Sequence, residues 1–210
     1  MNFKVPFITY DQVGQIVKDF LAKFHPSLEL PIPIEGIIEF DLGLHIVPIS
    51  FLYKDFGQNG FLSVDRTKIF IDEYQYDNFI EKYRFTLAHE IGHFIMHESF
   101  YDGLSFDTQQ EYINFLQTTI PQKDLFWFET HGDWFAGHLL VPTKLLEGLC
   151  IDLLESSRDQ FSDDDYLPHE FWSYASNELA GPFEVNPIVV EIRIQRESFV
   201  EKFRDYYREK

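Results

Sequence analysis

The chain has a single cysteine, Cys150, so no disulfide can form within it and packing alone must hold the fold. Cys150 itself reads as a small core hydrophobe, not a nucleophile. There is no apolar run of membrane length, and Met1-Asn-Phe-Lys-Val-Pro6 is not a basic-plus-apolar leader. These absences predict a cytoplasmic protein with no membrane association. Positive charge is scarce: 17 Lys and Arg against 35 Asp and Glu give a formal net charge of −18. A nucleic-acid duplex repels such a field, so direct nucleic-acid binding is not expected, whereas a basic protein partner is compatible with it. Residues 179–190 have a helix-turn-helix-like spacing. The arginines beyond them, Arg193 and Arg196, are flanked by Glu191 and Glu197 and make no basic reading face. No internal repeat is present. Aromatic residues are abundant: 23 Phe and 11 Tyr within an apolar content of 45% predict a sizeable, rigid core. The length suits one domain over 1–210.

Apolar spacing predicts an amphipathic helix over 9–24, capped by Thr9 or Asp11. A short helix over 34–42 ends at Gly43, and 44–49 reads as a strand. Residues 61–64 and 68–71 flank Asp65-Arg-Thr as a hairpin. Further helices are expected over 78–97, 108–117, about 128–141, 143–155, near 168–180 and over 187–206. The acidic, polar stretch 156–166 reads as an exposed loop.

One helix in this series carries chemistry. His89-Glu90-Ile91-Gly92-His93 sits in the apolar run from Phe85 to Met96. Positions i and i+4 share a helical face, so both imidazoles can reach one metal ion. Glu90 is rotated about 100° from His89 and can act on a metal-bound water without being a ligand. Leu87, Ile91, Phe94 and Ile95 mark the helix as buried, where two histidines and a glutamate are costly unless something satisfies them.

A catalytic zinc site needs a third protein ligand and an open position. The extended pattern His-Glu-x-x-His-x-x-Gly-x-x-His fails, because Met96 and Ser99 occupy its glycine and last histidine places. Glu129 and Asp133 instead lie one turn apart on the later helix, which Pro142 ends. Glu129 can bind the metal, and Asp133 can hold the other ring N–H of a ligating histidine. The alternative is a solvated carboxylate face. His131 is a rival ligand that faces away from Glu129.

Two blocks carry a family resemblance: Arg84-Phe-Thr-Leu-Ala-His-Glu-Ile-Gly-His-Phe-Ile-Met-His97, and Glu129-x-x-x-Asp133-x-Phe-Ala-x-x-Leu-Leu-Val-Pro142. They resemble the ImmA/IrrE-type zinc metallopeptidases, with further similarity over 60–72 and 178–193, so that roughly 10–200 is covered. Gly132 stands where that family usually has alanine, and the stretch between His97 and Glu129 is idiosyncratic. The resemblance implies an α+β fold, a small twisted sheet packed on a helical body, with zinc held between two helices in zincin-like fashion. It places the zinc core at about 60–142 and a helical C-terminal part at about 143–210. It implies a cytoplasmic bacterial endopeptidase that cleaves a specific regulatory protein, of helix-turn-helix repressor type. The alternative is an anti-repressor that keeps the zinc fold and acts by binding alone, which would not require an intact Glu90.

The expected roles are Glu90 as general base, His89, His93 and Glu129 as ligands of one Zn2+, and Asp133 as the carboxylate behind a ligand histidine. Manganese or iron would suit the same donors. His97, Tyr101 and His138 are candidates for contact with the transition state or substrate. His97 lies one turn past His93, and three in-line histidines cannot all reach one ion, since the outer pair are about 12 Å apart along the axis. The segment 68–72 could pair with an extended substrate strand.

Overall fold

The computed structural model describes residues 5–157 and 169–208. The acidic stretch 156–166 starts as helix at Ser156 and Ser157 and otherwise lies outside the described residues. The chain divides into two compact units, Met1–Leu139 and Leu140–Lys210.

The first unit opens with helix α1, Tyr10–Phe24. Thr9, not Asp11, caps it: its hydroxyl accepts the Gln12 N–H while the Gln12 side chain accepts the Thr9 N–H. Val13, Val17, Phe20 and Leu21 form its buried face. Helix α2, Ile34–Gly36, runs on as a π-helical turn, Ile37–Asp41. Gly43, with φ of 68°, lets the chain turn into strand β1, His45–Ile49. The short helix α3, Leu52–Phe56, was not foreseen. Strands β2, Gly60–Leu62, and β3, Lys68–Asp72, form the expected hairpin. Its turn is tied by Ser63 and Asp65, which both accept the Thr67 N–H.

The sheet has three strands in the order β1-β3-β2, with β1 parallel and β2 antiparallel to β3. This corrects one expectation. β3 is central, so both its edges are paired and it cannot accept a substrate strand. The free edge beside the site belongs to β2. Asn59 C=O and Ser63 N–H both bond to β3, so the intervening Gly60 and Leu62 turn their backbone groups outward.

Helix α4, Glu73–Asn78, is capped by Asp72, whose carboxylate accepts the Gln75 N–H. A break at Phe79 separates it from α5, Ile80–Met96, so the expected helix over 78–97 begins two residues late. Helices α6, Glu98–Tyr101, and α7, Gln109–Thr118, follow. Helix α8, Gln122–Leu140, starts after Pro121, a turn and a half before the expected 128. α5 packs on β2 and β3. It meets α8 where a Cβ at Gly92 would lie 2.9 Å from Phe135 Cβ and 3.3 Å from Gly132 Cα. Only glycine permits that approach, and the approach brings the two motif blocks together.

The second unit is helical: α9, Thr143–Ser157; α10, His169–Leu179; a 3-10 turn, Gly181–Phe183; α11, Pro187–Arg196; and α12, Phe199–Arg208. The single helix expected over 187–206 is split at Ser198, whose φ is 54°. Trp172 stacks on Phe203 at 5.5 Å within an apolar core that includes Leu146, Cys150, Val190 and Ile194. Burial, with the Glu147 charge, pushes the Cys150 thiol up to about 12, which makes it inert. Arg193 is buried on Val141 C=O, Thr143 and Glu197. The architecture is α+β, as expected, and no described helix is long and apolar enough to cross a membrane.

Candidate metal centre

Helix α5 buries Leu87, Ala88, Ile91 and Gly92 and carries His89, Glu90 and His93 into the crossing with α8. His89 Nε2 lies 2.9 Å from His93 Nε2 and 3.4 Å from Glu129 Oε2. Its other nitrogen, Nδ1, is 3.0 Å from Asp133 Oδ1. His89 therefore faces Glu129 and Asp133 of α8, one with each ring nitrogen. The ring fits because residue 132 has no side chain: a Cβ there would lie 2.6 Å from His89 Nε2. Gly132, which sequence marks only as a poor helix former, is thus also a clearance for the imidazole.

His93 is held differently. Its ring stacks on Phe128 at 3.9 Å and 10°, and its Nδ1 lies 2.9 Å from His97 Nδ1. Phe128 also stacks on His97 at 4.5 Å. The two rings are clamped as a pair.

Among the described residues, His89, Glu90 and His93 form the group whose donor atoms all lie within 4.8 Å of one another. Glu129 is outside that group, its Oε2 3.4 Å from His89 Nε2. Glu90 is nevertheless distinguished from a ligand by its surroundings. It is 5% exposed, and its carboxylate accepts the Leu62 N–H from the outer edge of β2. Burial raises it to about 7, against the pull of His89 and with a push from Glu129. Glu129 and Asp133 are 52% and 60% exposed at the side chain, so the cluster opens to solvent on the α8 side. The two imidazole nitrogens of α5, with the Glu129 carboxylate 3.4 Å from His89 Nε2, are donors of the kind a zinc ion takes while keeping a further position open.

Burial opposes protonation of His89, but Asp133 and Glu129 outweigh it and hold the ring well above the usual histidine range. The protonated ring donates Nδ1–H to Asp133 and turns Nε2–H toward Glu129 and His93; a metal ligand needs the neutral ring with its one N–H on Asp133. Burial, together with the neighbouring rings, holds His93 well below its usual range and His97 down at about 3.

The structure separates the three candidates for transition-state contact. Tyr101 is buried near the carboxylates: burial, then Tyr112, Glu90 and Glu129, raise its hydroxyl well above the usual range. It shares a hydrogen bond with Tyr112 of α7, a neighbour not foreseen because α7 carries no motif. His97 lies behind His93, away from the open side. His138 is not brought to the cluster at all. It is packed under α1, its ring 4.5 Å from that of Tyr10 and 2.8 Å from where a Cβ at Gly14 would be. His131, the rival ligand, is buried against His97 Nε2 at 3.2 Å and also misses the cluster.

Paired helices that set His-Glu-x-x-His against a carboxylate define a site of metallopeptidase type. The model of the IrrE N-terminal-like domain, Peptidase_M78, matches residues 49–195, and the chain belongs to that family. The resemblance seen in the two motif blocks is borne out, although the match begins after α1 and β1's first residues. No curated protein matches the chain.

Proposed function

We propose that the protein is a zinc endopeptidase that cleaves a specific regulatory protein, of helix-turn-helix repressor type, inside the cell. The observation that carries this reading is the division of labour among the carboxylates. Glu129 and Asp133 flank His89 on the exposed side, whereas Glu90 is buried, held by the Leu62 N–H and raised to about 7.

His89, His93 and Glu129 would hold the ion, with Asp133 fixing the His89 tautomer. When bound, zinc supplies Lewis acidity and lowers the pKa of a water toward neutrality. Glu90 takes a proton from the attacking water and passes it to the leaving amine. A pKa near the working pH suits a group that must do both. The outer edge of β2 runs beside Glu90; Leu62 spends its N–H on that carboxylate, which leaves the outward backbone groups of Gly60 and the Leu62 C=O to which an extended substrate can add. The Tyr101–Tyr112 pair, close enough to feel the Glu90 and Glu129 charges, can supply a hydroxyl to the oxyanion. The net charge of −18 favours a basic substrate protein over nucleic acid.

The test is co-expression with a repressor encoded beside this gene. Wild type should produce discrete fragments and Glu90→Gln none. Broad digestion of casein would contradict the selective reading. Equal release of the repressor from DNA by wild type and Glu90→Gln, without fragments, would replace proteolysis with sequestration.

A further inference from the structure

Helix α5 packs on one face of the β2–β3 hairpin, and the other face borders a cavity. Gly60 and Leu62 point toward α5: a Cβ at Gly60 would lie 2.8 Å from Thr86 Cγ2. Phe61, between them, points the opposite way, because successive side chains of a strand alternate. Its ring meets that of Phe70, its cross-strand partner, at 4.8 Å and that of Tyr112 in α7 at 6.0 Å. Phe106, just ahead of α7, lies 5.5 Å from Tyr112. These rings line a cavity of about 610 Å³ between the hairpin and the stretch 104–112, ample for one large side chain.

The cavity adjoins the catalytic side in two ways. Tyr112 is the hydrogen-bond partner of Tyr101, and both feel the Glu90 charge. Phe61 also sits between Gly60 and Leu62, whose outward backbone groups form the free edge beside Glu90. In a strand added to that edge, residues directly opposite each other point their side chains to the same face. The substrate residue opposite Phe61 therefore turns its side chain toward the cavity, while its two neighbours point to the α5 side.

The lining selects among side chains. Phe61, Phe70 and Tyr112 are buried walls, and Phe106 is half-buried. Charge is confined to exposed residues at the mouth and has both signs, Lys68 against Asp65 and Asp107. Asp65 is already held by the Ser63 and Thr67 hydroxyls and the Thr67 N–H. The mouth therefore favours neither a cation nor an anion, whereas the walls offer edge-to-face and offset contacts to another ring.

We infer that this cavity is a specificity subsite that takes one aromatic side chain of the substrate, at the position opposite Phe61. The inference rests on the endopeptidase reading and names a feature of its substrate. Part of the subsite, Leu104, Ser105 and Phe106, comes from the stretch between His97 and Glu129, so substrate choice is set outside the two motif blocks.

The test uses the full chain with a chelator present, so that binding is read without hydrolysis, and end-blocked pentapeptides Ala-Ala-Xaa-Ala-Ala. The peptide with Trp at the central position should bind about tenfold more tightly than the one with Ala, and more tightly than those with Arg or Asp. It should also shift the NMR ring signals of Phe61, Phe106 and Tyr112. Ser105→Trp, which sets an indole into the cavity from its exposed mouth, should remove most of the tenfold preference. Equal binding of the Trp and Ala peptides, tightest binding of the Arg or Asp peptide, or Trp binding that leaves those rings unshifted would overturn the subsite. An undiminished preference in folded Ser105→Trp would overturn it as well. The ring signals need no variant and decide the matter if Ser105→Trp does not fold. Zinc is then supplied in place of the chelator: peptides bound in the expected order but none of them cleaved would count against the endopeptidase reading and leave the aromatic site standing.

Discussion

Helices α5 and α8 build the site from opposite kinds of surface. α5 is buried on the sheet side and against α8, and its Glu90 and His93 are nearly inaccessible. α8 gives the site two carboxylates that are more than half exposed. A buried group is fixed by its packing and has its proton affinity set by desolvation, whereas an exposed one is screened and adjustable. α5 therefore carries the chemistry that must be held in place, and α8 supplies charge that can move to meet a cation or a substrate. If the comparison holds, perturbing α5 should cost stability and catalysis together, and perturbing α8 should cost metal affinity first.

The largest effect is expected where the helices touch. Gly92→Ala forces a Cβ to within 2.9 Å of Phe135 Cβ and should lower stability by about 1–3 kcal/mol, measured by urea denaturation. An unchanged midpoint would mean that the α5–α8 approach is not fixed by glycine. Next comes Asp133→Ala, which should weaken zinc binding by roughly 10–100-fold in competition with a chelator, leaving the fold intact. Unchanged affinity would return Asp133 to a solvated face. Gly132→Ala is subtler. Alanine helps the helix but puts a Cβ 2.6 Å from His89 Nε2, so zinc affinity should fall roughly tenfold while stability holds or rises slightly. Equal affinity would show that His89 has another berth.

The smallest effect is the pH dependence of stability in chelator-stripped protein. Glu90 is raised by burial from 4.5 to about 7 in the folded state, so the folded form binds more protons than the unfolded between those values. Its contribution is fully present below about 4.5 and is lost as pH rises through about 7. His93 and His97 are depressed by burial and act in the opposite sense: their contribution is present above about 6.5 and is lost as pH falls. Between about 4.5 and 6.5 the two contributions oppose each other, so Glu90→Gln should make stability rise more steeply with pH there. An unchanged slope would contradict a raised Glu90.

The same contrast explains what could be read from sequence. The α5 half of the site was legible because His-Glu-x-x-His is a contiguous pattern on a helix whose apolar neighbours announce burial. Glu129 and Asp133 were legible only as spacing, since an exposed carboxylate pair looks the same whether or not a histidine stands opposite. The start of α8 was missed because Leu125-Phe-Trp-Phe128 is continuously apolar and shows no helical period, although Phe126 is exposed. His138 was misjudged because its partner, Gly14, lies on α1, far away in the chain. Sequence order likewise hid the central place of β3, which follows from β1 pairing across α3 and β2.

The central claim is that Glu90 acts on bound water while His89 and His93 hold the ion. Metal content and hydrolysis of the co-expressed repressor, measured side by side in His93→Ala and Glu90→Gln, test it most directly. The account predicts collapse of both in His93→Ala, and full metal with no cleavage in Glu90→Gln. Undiminished metal in His93→Ala, or normal cleavage by Glu90→Gln, would contradict it.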